Sequence, residues 1–247
     1  QQTLKGLRRV AVTKGKQCLC HALCLPEPLR QRKSVLVFRM VKIPTPADAY
    51  ALTDAADLRA LYRDWARSYD TAFSESEGYQ LPHAVALQFV MAGGKGPVLD
   101  AGAGTGLVAE HLVRHGISDI DGLDISPEML EVATQKGVYR GVLLHDLGQD
   151  APLKRQHEYG GLVSAGAFTL GHAGPDDLLR LMGWCAPGAL CGVSVNSRHF
   201  VDAGFAATLA RADSLRDLVQ ETVRIYDDRA DTAHREATAE LLTFRCC

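Results

Sequence analysis

The chain has 247 residues, 47% hydrophobic and 23% charged, which excludes a disordered or fibrous protein. It also lacks a run of ~20 apolar residues that could form a membrane-spanning helix. Nine of the 27 Lys and Arg but only one of the 29 Asp and Glu lie in residues 1–39, so the rest of the chain carries a net charge of −10. Because Lys and Arg are the main ligands of phosphate backbones, this acidic body disfavours nucleic acid and predicts a small-molecule substrate.

Residues 1–39 differ in composition from everything that follows. They show no sustained helical or strand period and contain the helix-breaking Pro26-Glu27-Pro28. The first methionine is Met40. We interpret residues 1–39 as a basic leader: upstream sequence, a disordered targeting arm or, as we favour, an extension foreign to the native protein.

The seven cysteines are an odd number and show no pattern of secreted disulfides. This predicts reduced thiols and a cytoplasmic protein. The cluster Cys18-x-Cys20-His21-x-x-Cys24 could bind a soft metal, but no second ligand pair lies at a zinc-finger spacing. The sequence therefore predicts no metal site.

Two helices are predicted before the first strand. From Thr53 to Tyr69, apolar residues recur at three- and four-residue steps, as on one face of a helix. A second helix is expected from Pro82 to Met91. Together they predict an N-terminal helical cap within residues 40–95.

After Gly93-Gly94 the pattern changes to alternating strands and helices, which predicts a parallel sheet covered by helices on both faces. The last two strands are joined by the short polar segment 227–231, which requires an antiparallel hairpin. We therefore predict an α/β fold for residues 96–247, a Rossmann-like three-layer sandwich with a seven-stranded, mostly parallel sheet. The strands are expected near 97–101, 119–124, 139–145, 161–165, 188–195, 217–226 and 236–245, and the helices near 106–116, 127–135, 175–186 and 203–212.

A glycine-rich turn follows the first strand, which ends at Asp100. Gly102, Gly104 and Gly106 precede a helix, and such glycines let the backbone lie close against a bound nucleotide. The dinucleotide fingerprint would need a glycine or alanine at position 107, where this chain has Leu107. Asp100 also suits a ligand with an ammonium and a sulfonium better than a pyrophosphate. The turn therefore predicts a nucleotide-like ligand other than NAD.

The segment V-L-D-x-G-x-G-T-G resembles motif I of class I S-adenosylmethionine-dependent methyltransferases. The second strand ends at Asp124, and an acid there can accept hydrogen bonds from both ribose hydroxyls. The chain then continues I-S-P-E-M-L, which resembles the G-x-D-x-S-x-x-M-L signature of the ubiquinone-biosynthesis-type branch. This resemblance implies that Ile125 and Met129 enclose the adenine of S-adenosylmethionine. It also implies that Asp146, after the third strand, receives the adenine amino group.

Two further segments, residues 62–70 and 163–172, look most like the Williams–Beuren-region methyltransferase-like proteins. In related members a tyrosine-rich segment before the sheet folds over the methionine end of the cofactor, which implies this contact for Tyr62 and Tyr69. The predicted cofactor-binding residues are Tyr62, Tyr69, Asp100, Gly102, Ala103, Gly104, Gly106, Asp124, Ile125, Met129, His145, Asp146, Leu147 and Ser164.

Methyl transfer from a sulfonium requires alignment and exclusion of water, and a general base only if the acceptor must lose a proton. The loop after the fourth strand is where ligands of open α/β sheets bind, and His172 in it is the predicted base. Alternatively, His172 belongs to a turn, and its imidazole caps the helix that follows. The fourth strand has Tyr159-Gly160-Gly161 where the family places a Tyr-Asp or Phe-Asp pair, so the role of that acid cannot be transferred.

The resulting prediction is an S-adenosylmethionine-dependent methyltransferase that methylates an oxygen, nitrogen or carbon of a small molecule. The absence of an Asn-Pro-Pro-Tyr type motif weakens a DNA or protein-glutamine acceptor. We expect a monomer or homodimer that binds neither nucleic acid nor membrane. Two alternatives stay open: an NAD-dependent oxidoreductase, which shares the acid at the end of the second strand, and a non-catalytic protein that binds S-adenosylmethionine.

Overall fold

The computed structural model describes residues 66, 69, 70, 74, 78–150, 155–230 and 235–247. The leader of residues 1–39 and most of the helix predicted from Thr53 to Tyr69 lie outside this part of the chain. The described helices are α1 (Leu81–Met91), α2 (Leu107–Arg114), α3 (Pro127–Gln135), α4 (Pro175–Met182), α5 (Ser197–Asp202) and α6 (Phe205–Leu209). The described strands are β1 (Val98–Ala101), β2 (Ile120–Asp124), β3 (Gly141–Leu144), β4 (Tyr159–Phe168), β5 (Cys185–Asn196), β6 (Leu215–Arg224) and β7 (Thr238–Cys246).

These strands form one sheet in the order β3-β2-β1-β4-β5-β7-β6. Strands β1 to β5 pair in parallel, whereas β7 runs antiparallel to both β5 and β6. The predicted seven-stranded, mostly parallel sheet with a terminal hairpin is therefore confirmed. The strand order reverses between β1 and β4, and ligands of such sheets bind beyond the carboxyl ends of the strands at that reversal.

Three element boundaries differ from the prediction. The helix expected near 175–186 ends at Met182, because β5 already begins at Cys185. The helix expected near 203–212 is the shorter α6, and α5 before it was not predicted; Gly204, with a left-handed φ of 73°, separates the two. Strand β4 extends beyond 161–165 at both ends, because its pairing with β5 continues across an irregularity before Phe168.

Helix α1 packs directly on the sheet. Val85, Ala86 and Phe89 are fully buried, and the Phe89 ring lies against β4. A Cβ atom at Gly161 would lie 2.5 Å from this ring, so only glycine fits there without a shift of Phe89. None of the helices in the described part of the chain combines the length and apolarity that a bilayer crossing needs.

The buried carboxylate of Asp121 in β2 is hydrogen-bonded to residues at or just before the start of two other strands, β3 and β4. Asp121 is 4% exposed and accepts two hydrogen bonds from Arg140, Nε at 2.9 Å and Nη2 at 2.7 Å, and one from the Tyr159 hydroxyl at 2.8 Å. Burial by itself raises the pKa of Asp121, but the hydrogen bonds from Arg140 and Tyr159 outweigh it and leave that pKa below its ordinary value.

We expect Asp121→Asn to lower the free energy of unfolding by about 2–3 kcal/mol at neutral pH, because hydrogen bonds to a charged group contribute about this much. Since the folded-state pKa of Asp121 is depressed, its stabilisation is present above the unfolded-state pKa and lost as pH falls through the folded value. Urea unfolding of both proteins at neutral and acid pH measures this. Tyr159→Phe, which removes one donor only, should cost less. Equal stabilities of Asp121→Asn and wild type at neutral pH would show that the network does not stabilise the fold.

Candidate cofactor site

A cavity of about 340 Å³ lies beyond the carboxyl ends of β1, β2, β3 and β4. Its walls come from the loops that follow these strands and from the segment before α1. A volume of this size accommodates a small organic ligand. The predicted site residues that line it are Tyr69, Gly102, Ala103, Gly104, Asp124, Ile125, Met129, Asp146, Leu147 and His172.

The turn after β1 is held in one conformation and is open toward the cavity. The backbone N–H groups of Gly102 and Ala103 both donate to the Leu123 carbonyl oxygen, at 2.8 and 2.9 Å. Gly102 and Gly104 have left-handed φ values of 70° and 53°. A Cβ atom at Gly104 would meet no protein atom within 4 Å, whereas one at Gly102 would lie 2.6 Å from the Cβ of Ala167. The space above Gly104 is therefore available to a ligand.

Asp124 is fixed at the end of β2 by the loop that it faces. Its Oδ2 accepts the N–H of Gly104 at 2.8 Å, and its Oδ1 accepts the N–H of Ser126 at 2.8 Å. Burial raises the pKa of this carboxyl, and the backbone hydrogen bonds oppose the rise. Each carboxylate oxygen has a second lone pair, so Asp124 can also accept hydrogen bonds from two ligand hydroxyls.

An apolar wall and a second acid complete this end of the cavity. Ile125 and Met129 both line it, and Met129 is held there at the start of α3, where its N–H donates to the capping Ser126 hydroxyl at 3.2 Å. Asp146 follows β3, and its Oδ1 accepts the N–H of Gly148 at 2.9 Å. These residues form a site for a flat apolar group that carries a hydrogen-bond donor.

Four predicted residues lie outside the cavity lining and support it from behind. Ser164 donates its hydroxyl to the Ala101 carbonyl oxygen at 2.7 Å and so joins β4 to β1. His145 packs edge-on against Trp184, with ring centroids 5.1 Å apart. Gly106 is the N-terminal cap of α2, with a φ of 91°. The fourth residue is Asp100.

Asp100 is fully buried beneath the glycine turn. Its Oδ2 accepts the Tyr139 hydroxyl at 2.7 Å, and its Oδ1 has no hydrogen-bond partner. Burial raises the pKa of Asp100 to about 7, against the hydrogen bond from Tyr139, and the charge of Asp124 adds to the rise. The carboxyl is therefore poised between its two protonation states at neutral pH.

The stability of the protein should report this raised pKa. Because the folded-state pKa lies above the ordinary value of 3.8, the stabilisation is complete below that value and is lost as pH rises through about 7. The shift corresponds to about 4 kcal/mol. We expect Asp100→Asn to be more stable than wild type at about pH 8, to keep a smaller advantage at about pH 5, and to match wild type only below about pH 4. Thermal unfolding at the two pH values tests this, and a parallel decline of both proteins would contradict it.

The segment before α1 is fastened to the cofactor loop by polar contacts that the sequence did not reveal. Asp70 accepts the Thr105 hydroxyl at 2.5 Å and forms an ion pair with Lys136 at 2.6 Å. Tyr69 lines the cavity next to this anchor, whereas Tyr62 lies outside the described residues. Asp70 is the last residue of the tyrosine-rich segment 62–70. Its place in that segment is the one sequence signal that could have identified it.

Tyr79 is a second aromatic residue of the cavity wall, and no sequence pattern singled it out. Its ring lies 5.9 Å from that of Tyr226, centroid to centroid. Gly166 of β4 has a φ of 82°, and a Cβ atom there would lie 2.4 Å from the Tyr79 hydroxyl oxygen. The bend in β4 at Gly166 therefore makes room for Tyr79 at the cavity.

His172 lines the cavity in the loop between β4 and α4. Its Nδ1 lies 3.0 Å from the Leu170 carbonyl oxygen, so Nδ1 is the donor and Nε2 carries the lone pair of the neutral ring. Burial lowers the pKa of His172, and the charge of His199 adds to this against the contact with Leu170. His172 is therefore neutral at neutral pH and able to accept a proton.

The ionisable groups of the lining are acidic apart from His172. Asp124, Asp146 and Asp177 line the cavity, and no Lys or Arg of the described residues does so. Asp177 is partly neutralised by Arg180, whose Nη1 lies 2.7 Å from its Oδ1. A polyanion would be repelled from this cavity, whereas a neutral or cationic ligand would not.

Residues 98–186 match a family model described as a methyltransferase domain. Human methyltransferase-like protein 27 is 31% identical over 128 residues, which are 50% of this chain and 51% of that protein. Bovine 18S rRNA (guanine-N(7))-methyltransferase is 44% identical over 57 residues, 23% of this chain and 20% of that protein. The chain thus spans about half of the first curated relative and less of the second. The structure of a DhpI–SAH complex superposes with a TM-score of 0.54 at 20% identity, over 76% of this chain and 94% of that one, which shows a shared fold.

Proposed function

We propose that this chain, which carries an S-adenosylmethionine-dependent methyltransferase domain, transfers a methyl group to a small-molecule acceptor. The domain match bears out the predicted enzyme class and its cofactor, S-adenosylmethionine. The observation that carries the proposal is the convergence of ten predicted site residues on one cavity with acidic walls.

The residues present fit S-adenosylmethionine. The open space above Gly104 suits the methionine part, which must lie close to backbone. Asp124 can accept both ribose hydroxyls while its backbone contacts keep it in place. Ile125 and Met129 would enclose the adenine, and Asp146 would accept a hydrogen bond from the adenine amino group.

The rest of the cavity suits the acceptor. It extends to Tyr69, Tyr79 and His172, which leave an aromatic and apolar surface with one neutral base. The lack of Lys and Arg among the described lining residues favours a neutral or cationic molecule over a polyphosphate. An acceptor of this kind agrees with the net charge of −10 for residues 40–247.

Bound S-adenosylmethionine supplies a methyl group on a sulfonium, which is already activated for in-line displacement. The chain itself aligns the methyl donor with the acceptor, excludes water from the cavity and accepts a proton. Asp124 and the glycine turn set the orientation of the donor, and Tyr69 and Tyr79 cover the cavity. His172 accepts at Nε2 the proton that an N–H or O–H acceptor loses on methylation.

Replacing His172 should separate catalysis from binding. We expect His172→Ala to lower kcat by about 100-fold, the lower range for general-base catalysis, with an unchanged affinity for S-adenosylhomocysteine. Because the pKa of His172 is lowered, the wild-type rate should stay constant near neutral pH and fall only as pH drops through that depressed value. The pH–rate profile of His172→Ala should lack this step. A retained step would assign the proton transfer to another group.

The acceptor class can be tested with the full chain and methyl-labelled S-adenosylmethionine added to a cell extract that has been separated by size. We expect label in the low-molecular-mass fraction, with formation of S-adenosylhomocysteine. Label in RNA would instead indicate an RNA acceptor, as in the name of the bovine relative, and label in protein would contradict the proposal equally. Binding of the cofactor without any labelled product would indicate a non-catalytic protein. Asp124→Ala serves as the control, because a variant that binds the cofactor weakly should give little labelled product.

We also propose that the chain belongs to the Williams–Beuren-region branch, which its residues 62–70 and 163–172 resemble.

The proposed location of the chain is the cytoplasm. The described cysteines, Cys185, Cys191, Cys246 and Cys247, are all free thiols, which agrees with a reducing compartment. Imaging of the tagged full chain tests the location, and accumulation in an oxidising organelle would overturn it.

A further inference from the structure

Three buried cysteines meet in the interior, toward the amino ends of the parallel strands and away from the cofactor cavity. Cys185, Cys191 and Cys246 are each at most 3% exposed. Their Sγ atoms all lie within 4.8 Å of one another, and those of Cys191 and Cys246 are 3.5 Å apart. The methyl-transfer mechanism uses none of them.

The sheet itself brings these thiols together. Cys191 of β5 lies opposite Phe244 of β7. Because side chains alternate along a strand, Cys246, two residues after Phe244, projects from the same face as Cys191. Cys185 begins β5, and its thiol contacts the Leu181 carbonyl oxygen at 3.9 Å. Long antiparallel pairing fixes the cluster, so it is organised before any ligand arrives.

The spacing of the three sulfur atoms matches a shared cation. A zinc–sulfur bond of about 2.3 Å places thiolates that share one ion roughly 4 Å apart. The Cys191 and Cys246 sulfur atoms are 3.5 Å apart, and the other two separations are no more than 4.8 Å, so all three are compatible with this value. A disulfide would use only two of the three sulfur atoms. Soft thiolate ligands select zinc and other thiophilic ions over magnesium or calcium.

One side of the cluster lies close to an exposed histidine. His157 is exposed next to the cluster, with its Nδ1 3.0 Å from the Cys185 carbonyl oxygen. Its φ of 59° is uncommon for a residue other than glycine. The cluster therefore has an exposed imidazole on its Cys185 side.

We propose that Cys185, Cys191 and Cys246 form a binding site for one thiophilic divalent cation of the zinc class. Binding exchanges the thiol protons for the cation: three sulfur–metal bonds form, up to three protons pass to solvent, and nothing is oxidised or reduced. The ion would tie β5 to the end of β7, near the amino ends of the parallel strands and away from the site of methyl transfer.

The test is a titration of the reduced, metal-free full chain with Cd²⁺. Because Cys18, Cys20 and Cys24 could also bind the ion, these three are first replaced by serine. We expect one equivalent of Cd²⁺ to produce a thiolate-to-metal charge-transfer band with release of protons. Adding Cys191→Ser should weaken binding by about 100-fold or more, since one of three ligands is lost. The matched control is Cys247→Ser, which removes an exposed cysteine outside the cluster and should leave the titration unchanged.

Folding of each variant is verified by its binding of S-adenosylhomocysteine, because the cofactor cavity lies at the opposite ends of the strands. If Cys191→Ser fails this check, Cys246→Ser at the end of β7 provides the same comparison. In the protein without the three leader cysteines, Zn²⁺ should also raise the melting temperature. The absence of a charge-transfer band, or an equal band after loss of Cys191 or Cys246, would overturn the proposal.

Discussion

Asp124→Ala is expected to weaken binding of S-adenosylhomocysteine by about 100-fold or more. The substitution removes the acceptor for the ligand hydroxyls and releases the N–H of Gly104, now held at 2.8 Å. Two hydrogen bonds to a charged group contribute about 3–6 kcal/mol, and each 1.4 kcal/mol corresponds to a factor of about ten in affinity. Isothermal titration calorimetry measures the change directly.

Two further variants make this result specific. Asp124→Asn should also bind weakly, because its amide group would direct a donor at the N–H of either Gly104 or Ser126. Asp119→Ala removes an exposed acid at the other end of β2, which pairs with Arg140 at 2.6 Å, and should leave the affinity unchanged. Wild-type affinity in Asp124→Ala would mean that the ligand does not contact this strand.

The second large effect is expected from Gly104→Ala, which should abolish cofactor binding while the protein remains folded. The added methyl group would meet no protein atom within 4 Å and would occupy the space assigned to the ligand. Placing alanine at this left-handed φ should also lower the free energy of unfolding by about 1–2 kcal/mol. Calorimetry and urea unfolding together separate the loss of affinity from the loss of stability.

Gly102→Ala and Gly137→Ala are the matched comparisons. At Gly102 the methyl group would lie 2.6 Å from the Cβ of Ala167, so overpacking adds about 1–3 kcal/mol to the backbone cost. Gly137, after α3, has a φ of 66° and open space around it, so its substitution should show the backbone cost alone with unchanged binding. If Gly104→Ala bound the cofactor as well as Gly137→Ala, the proposed ligand position would be wrong.

Much of the fold and part of the site could be predicted because their signals are local. The polar link at 227–231 required a hairpin, and β6 and β7 form it. The glycine turn, Asp124, Ile125 and Met129 lie within 28 consecutive residues and reach the cavity together. A turn fixes the direction of side chains close to it in the chain. Boundaries such as the end of α4 at Met182 were less predictable, because pairing with a distant strand decided where β5 begins.

The amino-acid sequence by itself determined the order of elements, the glycine turn and the residue types at the ends of the strands, since these depend on neighbours in the chain. Only the tertiary structure decided which way several side chains face. It buries Asp100 against Tyr139, 39 positions away, and joins Asp70 to Thr105, 35 positions away. It also places Cys246 beside Cys191, 55 positions away. Such contacts depend on how strands and helices pack in space, and no pattern of neighbouring residues encodes that distance.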